Sequence, residues 1–367
     1  MKILIMTSSG EPLNSIRPEA EIFIGLHGGG NSVTIMTGRD NVYWDRWVEA
    51  GITMVAYEPR KRLSLSDVHY LRTWFKEHDV DVAYLFNNKA ISNCAFAARG
   101  FPVKLVAYRG QTGNIFWYDP SCYLTILHPR LDGISCVSNA VRDDLRKQLS
   151  TPQKAVTVYK GHDVEWYQEE PADLGFLDIP PHAFVVGCTA NNRPRKGVPV
   201  LVEAMSKLPP EAPIHLLLIG RGMDSPDLLK QIEESPAAAR IHRLGFRTDA
   251  PALTAACDCT VLPAIKREGL PKSVIESMVY EVPAIVTDTG GSAELVVDGE
   301  SGYVVAPSDP DAIARRIMTL FQDPEAAKEM GKAGRKRIGD HFQVQQSIDQ
   351  TREWFQRLVQ KPVSQSQ

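Results

Sequence analysis

The chain has 367 residues, of which 43% are hydrophobic and 23% charged, and its formal net charge is −3. This length exceeds what one ordinary core organises, so we expect two domains of a globular protein and exclude a disordered or fibrous chain. A slightly acidic chain is a poor match for a partner held by phosphate neutralisation, so we expect no nucleic acid.

The start of the chain does not read as a secretion signal, because Met1-Lys2 leads directly into the strand-like run Ile3–Met6. No apolar run is long enough to span a bilayer. Both features predict a cytoplasmic protein. Six cysteines lack zinc-site spacing and are expected to be reduced thiols in or near the core: Cys94, Cys122, Cys136, Cys188, Cys257 and Cys259.

In chain order, short apolar runs alternate with helical patterns, which is typical of parallel sheets with crossover helices. The stretch 162–182 lacks periodicity and separates two such series, and a final helix is predicted over 344–358. The predicted strands are 2–6, 32–37, 53–57, 82–86, 104–108, 133–137, 155–159, 184–189, 214–219, 241–244, 260–262 and 284–287.

This alternation predicts an α/β fold of two Rossmann-like, doubly wound domains. The expected boundaries are 1–165, 166–340 and a C-terminal segment 341–367, whose tail from Pro362 should be frayed. Basic clusters at Arg60–Arg62 and at Arg142, Arg146 and Lys147 allow two interpretations. One is a peripheral contact of the N-terminal domain with anionic lipid, and the other is solvated helix ends.

Ligands of open α/β sheets bind beyond the carboxyl ends of the strands, and three loops of the second half have suitable chemistry there. The loop 191–197 carries Arg193, Arg195 and Lys196 just before a helix that begins near Val198. Cations beside a positive helix end would neutralise a diphosphate. A solvated basic loop explains this loop, taken alone, equally well.

The second loop follows strand 260–262 and places Glu268 ahead of a helix that Pro271 should open and that should run to about Tyr280. Glu276 would lie inside that helix. Amides at Gly269 and Leu270 could receive phosphate oxygens, and carboxylates could accept hydrogen bonds from sugar hydroxyls.

The third loop, 287–295, carries the pair Gly290-Gly291, as a close backbone turn near a ligand requires. The stretch 298–303 that follows has the composition of a hairpin-like turn. Either segment alone is explained by chain reversal.

Together these segments resemble the glycosyl transferases group 1 family, the retaining, family 4-like enzymes of the GT-B fold. The family's mark is two glutamates separated by seven residues, matched by Glu268 and Glu276. The Arg195-Lys196-Gly197 loop, the Gly-Gly-x-x-Glu stretch 290–294, the turn 298–302, the helix from Asp309 and the run 330–335 follow the family order. The resemblance covers about residues 184–340.

The resemblance implies a nucleotide-sugar donor, a UDP- or GDP-sugar, in a cleft faced by the two domains. Lys196, with Arg193 or Arg195, would hold the diphosphate, and Glu268 would bind the donor sugar. Glu276 would hold the ribose, and the stretch 242–245 would border the base. The remaining donor-binding candidates are Gly222, His242, Arg243, Gly269, Leu270, Pro271 and Ser273.

The first half departs from the family pattern. Where the family has a Gly-Gly loop after its first strand, this chain offers Gly10 alone. Where many members place a histidine, it has Arg109, which would act on the donor, position the acceptor or serve structurally. The aromatic stretch 116–118 would line an acceptor sugar or belong to a packed loop.

The resemblance further implies a retaining, metal-independent transfer to a glycan or lipid-linked acceptor in cell-envelope polysaccharide or lipopolysaccharide synthesis. Cations would stabilise the leaving diphosphate without a metal or other cofactor. No Asp-x-Asp triplet stands where it would suit metal binding. Two alternatives stay open: a nucleotide-sugar epimerase of the same fold, and a non-catalytic nucleotide-binding scaffold.

Overall fold

The computed structural model describes residues 1–10 and 13–360, and the chain divides into two compact units. The first unit comprises residues 1–161 together with the segment from 344, and the second comprises 162–343. The expected boundaries were 165/166 and 340/341. Glu11, Pro12 and the tail from Pro362 lie outside the described residues.

The first unit is built on a seven-stranded sheet in which every neighbouring pair is parallel. Its strand order, 3-2-1-4-5-6-7, reverses direction between the first and fourth strands. The strands are β1 (Lys2–Met6), β2 (Ser32–Thr37), β3 (Thr53–Ala56), β4 (Val82–Leu85), β5 (Lys104–Arg109), β6 (Gly133–Cys136) and β7 (Ala155–Thr157). The helices between them are α1 (Leu13–Gly28), α2 (Trp44–Glu49), α3 (Leu65–Glu77), α4 (Asn88–Ala97) and α5 (Asn139–Arg146).

The second unit repeats this plan with a six-stranded parallel sheet, in the order 10-9-8-11-12-13. Its strands are β8 (Phe184–Thr189), β9 (Ile214–Ile219), β10 (Ile241–Gly245), β11 (Cys259–Leu262), β12 (Ala284–Thr287) and β13 (Gly302–Val305). Its helices are α6 (Val198–Ser206), α7 (Pro226–Glu233), α8 (Ala250–Ala255), α9 (Lys272–Val279), α10 (Ser292–Leu295), α11 (Pro310–Gln322) and α12 (Pro324–His341).

The last described helix, α13 (Val344–Gln360), returns to the first unit. Its buried side chains Trp354 and Phe355 join the core that β1, β2 and α1 share. Trp354 covers Gly133, where an added Cβ would meet the indole at 2.5 Å. Burying two aromatic side chains contributes several kcal/mol, roughly 2–3 each, so α13 is an integral part of the first core.

The two doubly wound sheets confirm the predicted fold class, and each predicted strand is present with ends that differ by at most two residues. The turn predicted at 298–303 is present, but it does not belong to a hairpin. Gly299 N does donate to Gly302 O at 2.9 Å, closing a local turn, but that turn opens β13, which was not predicted. Because β13 pairs in parallel with β12 across α10, no hairpin forms.

The six cysteines are free and buried, as expected. Pro271 stands one residue ahead of α9 with extended backbone (ψ 117°), and therefore does not occupy the first helical turn. The cluster Arg60–Arg62 lies exposed in the loop before α3 and not at a helix end. Within residues 1–10 and 13–360, no helix combines the length and apolar character that crossing a membrane requires.

Candidate functional site

The candidate site of the second unit lies where its strand order reverses, between β8 and β11. These strands are adjacent and parallel, so their carboxyl ends open at the same edge of the sheet. At such a reversal the two following loops diverge to opposite sides and leave a crevice for a ligand. Lys196 comes from the loop after β8 and Glu268 from the loop after β11.

The two side chains meet in an ion pair at this edge. Lys196 Nζ lies 2.7 Å from Glu268 Oε1, and Arg195 contributes a guanidinium nitrogen 3.7 Å from the same oxygen. Glu268 is only 4% exposed. A carboxylate this deeply buried needs opposite charge beside it, which the two cations supply.

Backbone contacts fix the two loops to each other. Arg195 O accepts hydrogen bonds from Ile265 N at 2.8 Å, and the Arg195 guanidinium donates to Arg267 O at 2.9 Å. Arg267 itself has φ +63°, a left-handed conformation that is rare outside glycine. The residue before Glu268 is therefore held in an uncommon conformation by its partner loop, which directs the carboxylate toward Lys196.

The Gly-Gly pair of the third loop packs closely against the backbone of Glu268 and Gly269. Gly290 has φ +58°, and an added Cβ would stand 2.2 Å from Glu268 O. Gly291 N donates to Gly269 O at 2.8 Å. The close turn predicted near a ligand is thus a close approach to the backbone that carries Glu268.

Helix α9 places the second glutamate. Glu276 is 7% exposed and forms an ion pair with Lys272, one helical turn earlier. The buried residues Gly269, Leu270 and Pro271 lead into the helix, and Ser273 is half-buried in its first turn. Amides at the start of α9 lack helical partners and can receive an anion or hydroxyl.

A pocket of about 430 Å³ opens at the ends of β9 and β10. Gly222 and Arg243 line it, and the guanidinium of Arg221 lies 4.8 Å from the centre of the Phe246 ring in its wall. A flat aromatic ring and a stacked guanidinium form a surface suited to a planar base.

His242 lies beneath this region and not in the pocket lining. Its Nε2 is 3.0 Å from Nδ1 of His215, and the two rings stack. Burial lowers the pKa of both imidazoles, and the neighbouring imidazole lowers that of His215 further. A neutral pair can share one hydrogen bond, so His242 acts within the fold as one member of that pair.

Of the three cations of the loop 191–197, only Arg193 does not contact Glu268 among the described residues. The Arg193 side chain is exposed. Arg195 and Lys196 are both brought to the carboxylate. Arg195 is therefore the arginine of this loop that lies beside Glu268, and which arginine would hold a diphosphate stays a prediction.

The candidates of the first unit form a different environment. Gly10 is exposed with φ +81°, and an added Cβ would meet nothing within 4 Å. Arg109 donates to the carbonyl of Gly113, whose amide donates to Asp144 Oδ2 at 2.7 Å. Burial lowers the pKa of Arg109, and the charge of Asp144 opposes that shift. Arg109 thus braces its own loop.

The aromatic stretch of this unit does not form a packed loop. Phe116, Trp117 and Tyr118 are 39%, 63% and 65% exposed. Their rings contact one another, since those of Phe116 and Tyr118 stack with centroids 5.3 Å apart. The alternative of a platform for a sugar ring is compatible with this exposure.

Across residues 1–10 and 13–360, no three His, Cys, Asp or Glu side chains lie close enough together to hold a metal ion. Two Asp-x-Asp triplets exist, 79–81 and 309–311. Asp81 accepts a hydrogen bond from Lys2 N, and Asp309 caps α11, so both have local structural partners.

Sequence reasoning missed Lys272, Arg221 and Phe246. The four-residue spacing of Lys272 and Glu276 on one helix face was a readable signal for the first. No local pattern indicated the other two, because Arg221 and Phe246 come from different loops that meet only in the folded sheet.

Models of known protein families match both halves of the chain. A family model described as Glycosyl transferases group 1 matches residues 171–337, and one described as Glycosyltransferase Family 4 matches residues 21–166. Together they cover well over half of the chain.

Curated relatives are more distant. Alpha-maltose-1-phosphate synthase of Mycolicibacterium smegmatis is 29% identical over 62% of this chain and 63% of its own length. The lipopolysaccharide core biosynthesis glycosyltransferase LpsE of Rhizobium meliloti is 27% identical over 52% and 54%. The chain thus spans less than two thirds of the length of these relatives.

Among solved structures, Anabaena HepE in complex with UDP superimposes with a TM-score of 0.80 at 21% identity, covering 97% of this chain and 100% of that one. The two proteins share the fold, which consists of two Rossmann-like parallel-sheet domains of the GT-B type. With two family models matching in the expected order, the chain belongs to the glycosyl transferases group 1 family.

Proposed function

We propose that this protein is a glycosyltransferase that moves a sugar from a nucleotide-sugar donor to a glycan or lipid-linked acceptor. The observation that carries the proposal is the ion pair at the strand-order reversal of the second unit. There Lys196 Nζ lies 2.7 Å from the buried Glu268 carboxylate. A cation and an acid held together at a ligand-binding edge suit a ligand with both phosphate and hydroxyl groups.

The chemistry follows from the charge that develops when a sugar–diphosphate bond breaks. The leaving diphosphate gains negative charge while the sugar becomes electron-deficient. Lys196 and Arg195, with the amides ahead of α9, would stabilise the diphosphate more strongly as it departs. Glu268 would accept hydrogen bonds from donor hydroxyls and orient the sugar, and Glu276 would do the same for the ribose.

Two finer features are part of the proposal. The transfer would proceed with retention of configuration, by attack on the face from which the diphosphate leaves. It would also be independent of metal, because the two cations occupy the place where a divalent ion would neutralise phosphate. Retention rests on the family resemblance, and the observation that supports metal independence is that Arg195, beside Glu268, is held by contacts between the two loops.

The donor and acceptor classes rest on the relatives. HepE, which shares the fold, forms a complex with UDP, and LpsE acts in lipopolysaccharide core biosynthesis. We therefore propose a UDP- or GDP-sugar as donor and a cell-envelope polysaccharide or lipopolysaccharide precursor as acceptor.

The first test is a thermal-shift screen of the full chain against UDP, GDP, ADP and their sugars, because a ligand that binds the folded state raises the melting temperature. We expect one base to give a clear rise that Lys196→Met removes. Equal shifts in the wild type and in Lys196→Met would contradict the proposed diphosphate site.

The second test separates transfer from other outcomes. With the selected donor, we expect release of nucleoside diphosphate only when an acceptor is present, and we expect this release to persist in EDTA. Proton NMR of the product should show the same anomeric configuration, axial or equatorial, as in the donor. Formation of an epimer from donor alone would indicate an isomerase instead. Binding without turnover across a panel of envelope glycans would favour a non-catalytic role.

A further inference from the structure

The first unit contains a second groove, at the edge of its sheet where strands begin. This groove of about 1630 Å³ is lined at its base by the starts of β5, β6 and β7. Open α/β sheets bind their usual ligands at the opposite, carboxyl edge. The groove is therefore separate from the candidate positions Gly10 and Arg109, which follow carboxyl ends of strands in the same sheet.

Charge is concentrated in this groove although the chain as a whole is acidic. Five lysine and arginine residues line it against one acidic residue, Asp132. The five are Arg99, Lys104, Arg130, Lys154 and Arg357. Such an excess of positive charge in a concave surface attracts anions.

Asp132 is already occupied by structural partners. Its Oδ2 accepts hydrogen bonds from Arg130 at 2.7 Å and from Leu105 N at 2.9 Å. The other guanidinium nitrogen of Arg130 donates to carbonyls of the loop 98–103. Arg130 and Asp132 therefore hold the groove wall together and neutralise each other.

Lys104 is the unusual group. It is 8% exposed, and its Nζ is 4.0 Å from Asp132 Oδ1, beyond hydrogen-bonding distance. For the part of the chain that the structure describes, no closer partner of this amine is found. The amine therefore keeps hydrogen-bonding capacity toward the groove that it lines, and the oxygens of an anionic ligand could accept from it.

Lys154 stands beside the same carboxylate and has a single carbonyl partner, Pro129 O, at 3.0 Å. Burial lowers the pKa of Lys154, and Arg130 adds to that effect while Asp132 opposes it. Lys104 and Lys154 thus line the same groove, and the one carboxylate of that groove is already occupied by Arg130 and Leu105 N. A dianionic group with several oxygens, such as phosphate, would satisfy both.

The rest of the lining includes the polar residues His128, Thr151, Gln153 and Gln360 and two apolar walls. Trp354 and Leu358 of α13 form one side, and Phe101, Val103 and Val156 form another. We propose that this groove binds a phosphate-bearing amphiphile, with its phosphate on Lys104 and Lys154 and its apolar portion against Trp354 and Leu358. The occupant is a single amphiphile molecule and not a bilayer surface, because the Lys104 side chain is 10% exposed within a concave groove and a flat layer of head groups does not enter such a groove.

The test is isothermal titration calorimetry of the full chain with octyl phosphate below its micellar concentration. Methyl phosphate supplies the anion alone, and octyl glucoside supplies the apolar chain alone. We expect octyl phosphate to bind at least about tenfold more tightly than either, since each probe loses one half of the contacts. Equal binding of octyl glucoside or of methyl phosphate would overturn the proposal.

Variants test the two amines. Lys104→Met and Lys154→Met should each weaken octyl phosphate about tenfold, by loss of one charge-assisted hydrogen bond. Lys154 is only partly buried, so its variant serves if Lys104→Met fails to fold. The matched control is Lys2→Met, at the start of β1 in the same sheet but outside the groove, and it should bind as the wild type does.

A vesicle arm separates the two sources of phosphate. Phosphatidylcholine vesicles with and without phosphatidic acid are sedimented with the wild type and with Lys104→Met. We expect no difference between the two proteins. Vesicle binding that depends on Lys104, with no binding of octyl phosphate, would overturn the proposal in favour of a bilayer contact.

Discussion

The two units share one topology but differ at the point where strand order reverses. In the second unit, Lys196 and Glu268 bring opposite charges together between β8 and β11. The corresponding place in the first unit lies between β1 and β4, where a neutral pair joins the described parts of the two loops and the Glu58 carboxylate accepts from Ser9 at 3.5 Å. Asn87 donates there to Ser8 Oγ at 3.0 Å while its own oxygen caps α4.

This contrast teaches that the fold supplies a crevice twice, and side-chain chemistry decides what each crevice can bind. Burying an ion pair is expensive, and a protein does not gain stability from it over an apolar pair. The charged crevice of the second unit is therefore best explained by a ligand. The neutral pair of Asn87 and Ser8 in the first unit is explained by capping and loop closure.

The largest effect is expected from a substitution that removes the negative charge of the crevice in the second unit. Glu268→Gln keeps the shape of the side chain but removes its negative charge, so transferase turnover should fall by about two to three orders of magnitude. The protein should still fold, with a lower melting temperature than the wild type, because Lys196 loses the charge opposite it. Steady-state assays with the selected donor and differential scanning calorimetry measure both. Glu300→Gln, at an exposed turn, is the control, and near-normal turnover of Glu268→Gln would refute the assignment.

The second prediction compares glycines of the two crevices. Gly290→Ala would place a Cβ 2.2 Å from Glu268 O in a left-handed conformation, and should cost about 3 kcal/mol or more of unfolding free energy. Gly10→Ala has a similar φ in open space and should cost about 1 kcal/mol. Urea denaturation measures the difference. Equal losses of unfolding free energy in the two variants would mean that the loop carrying Glu268 moves aside for the added Cβ at little cost.

The third prediction concerns Arg109, which braces its own loop through Gly113 O. Arg109→Lys keeps the charge but loses the guanidinium geometry, so unfolding free energy should fall by about 1 kcal/mol. Turnover should stay within about threefold of the wild type. A hundredfold loss of kcat with unchanged stability would instead place Arg109 in direct contact with substrate.

The smallest effect is on pH dependence. Burial lowers the pKa of His215 and His242 in the folded unit, whereas the unfolded chain takes up protons near pH ~6.5. Below that pH the unfolded state binds more protons, so stability is full above it and falls as pH decreases. His242→Gln should show a smaller drop in melting temperature than the wild type between pH about 7.5 and about 5.5. An identical drop would exclude the pair as its source.

Much of the fold was readable from the sequence because buried parallel strands are short apolar runs bounded by turn residues. β13 was missed for a physical reason. Its four residues, Gly302–Val305, follow a turn whose glycines read as a hairpin, and only the long-range pairing with β12 makes the segment a strand. The extended backbone of Pro271, one residue ahead of α9, is likewise set by the loop that precedes it.

The candidate site divides in the same way. The sequence predicted Glu268 and Lys196 through a spaced pattern, and the structure brings them within 2.7 Å. It could not choose between Arg193 and Arg195, because both occupy the same loop, and only its conformation turns Arg195 inward. The partnership of Arg221 with Phe246 was beyond local reasoning, since 25 residues of chain separate them and the sheet brings them together.

The return of α13 to the first unit has a consequence for biosynthesis. The ribosome makes residues 344–360 only after the whole of 162–343, so the second unit has all of its residues while the first still lacks Trp354 and Phe355. Domains fold as they emerge during synthesis. Here the half that is translated first is the last to be completed, and its apolar surface stays uncovered in the meantime.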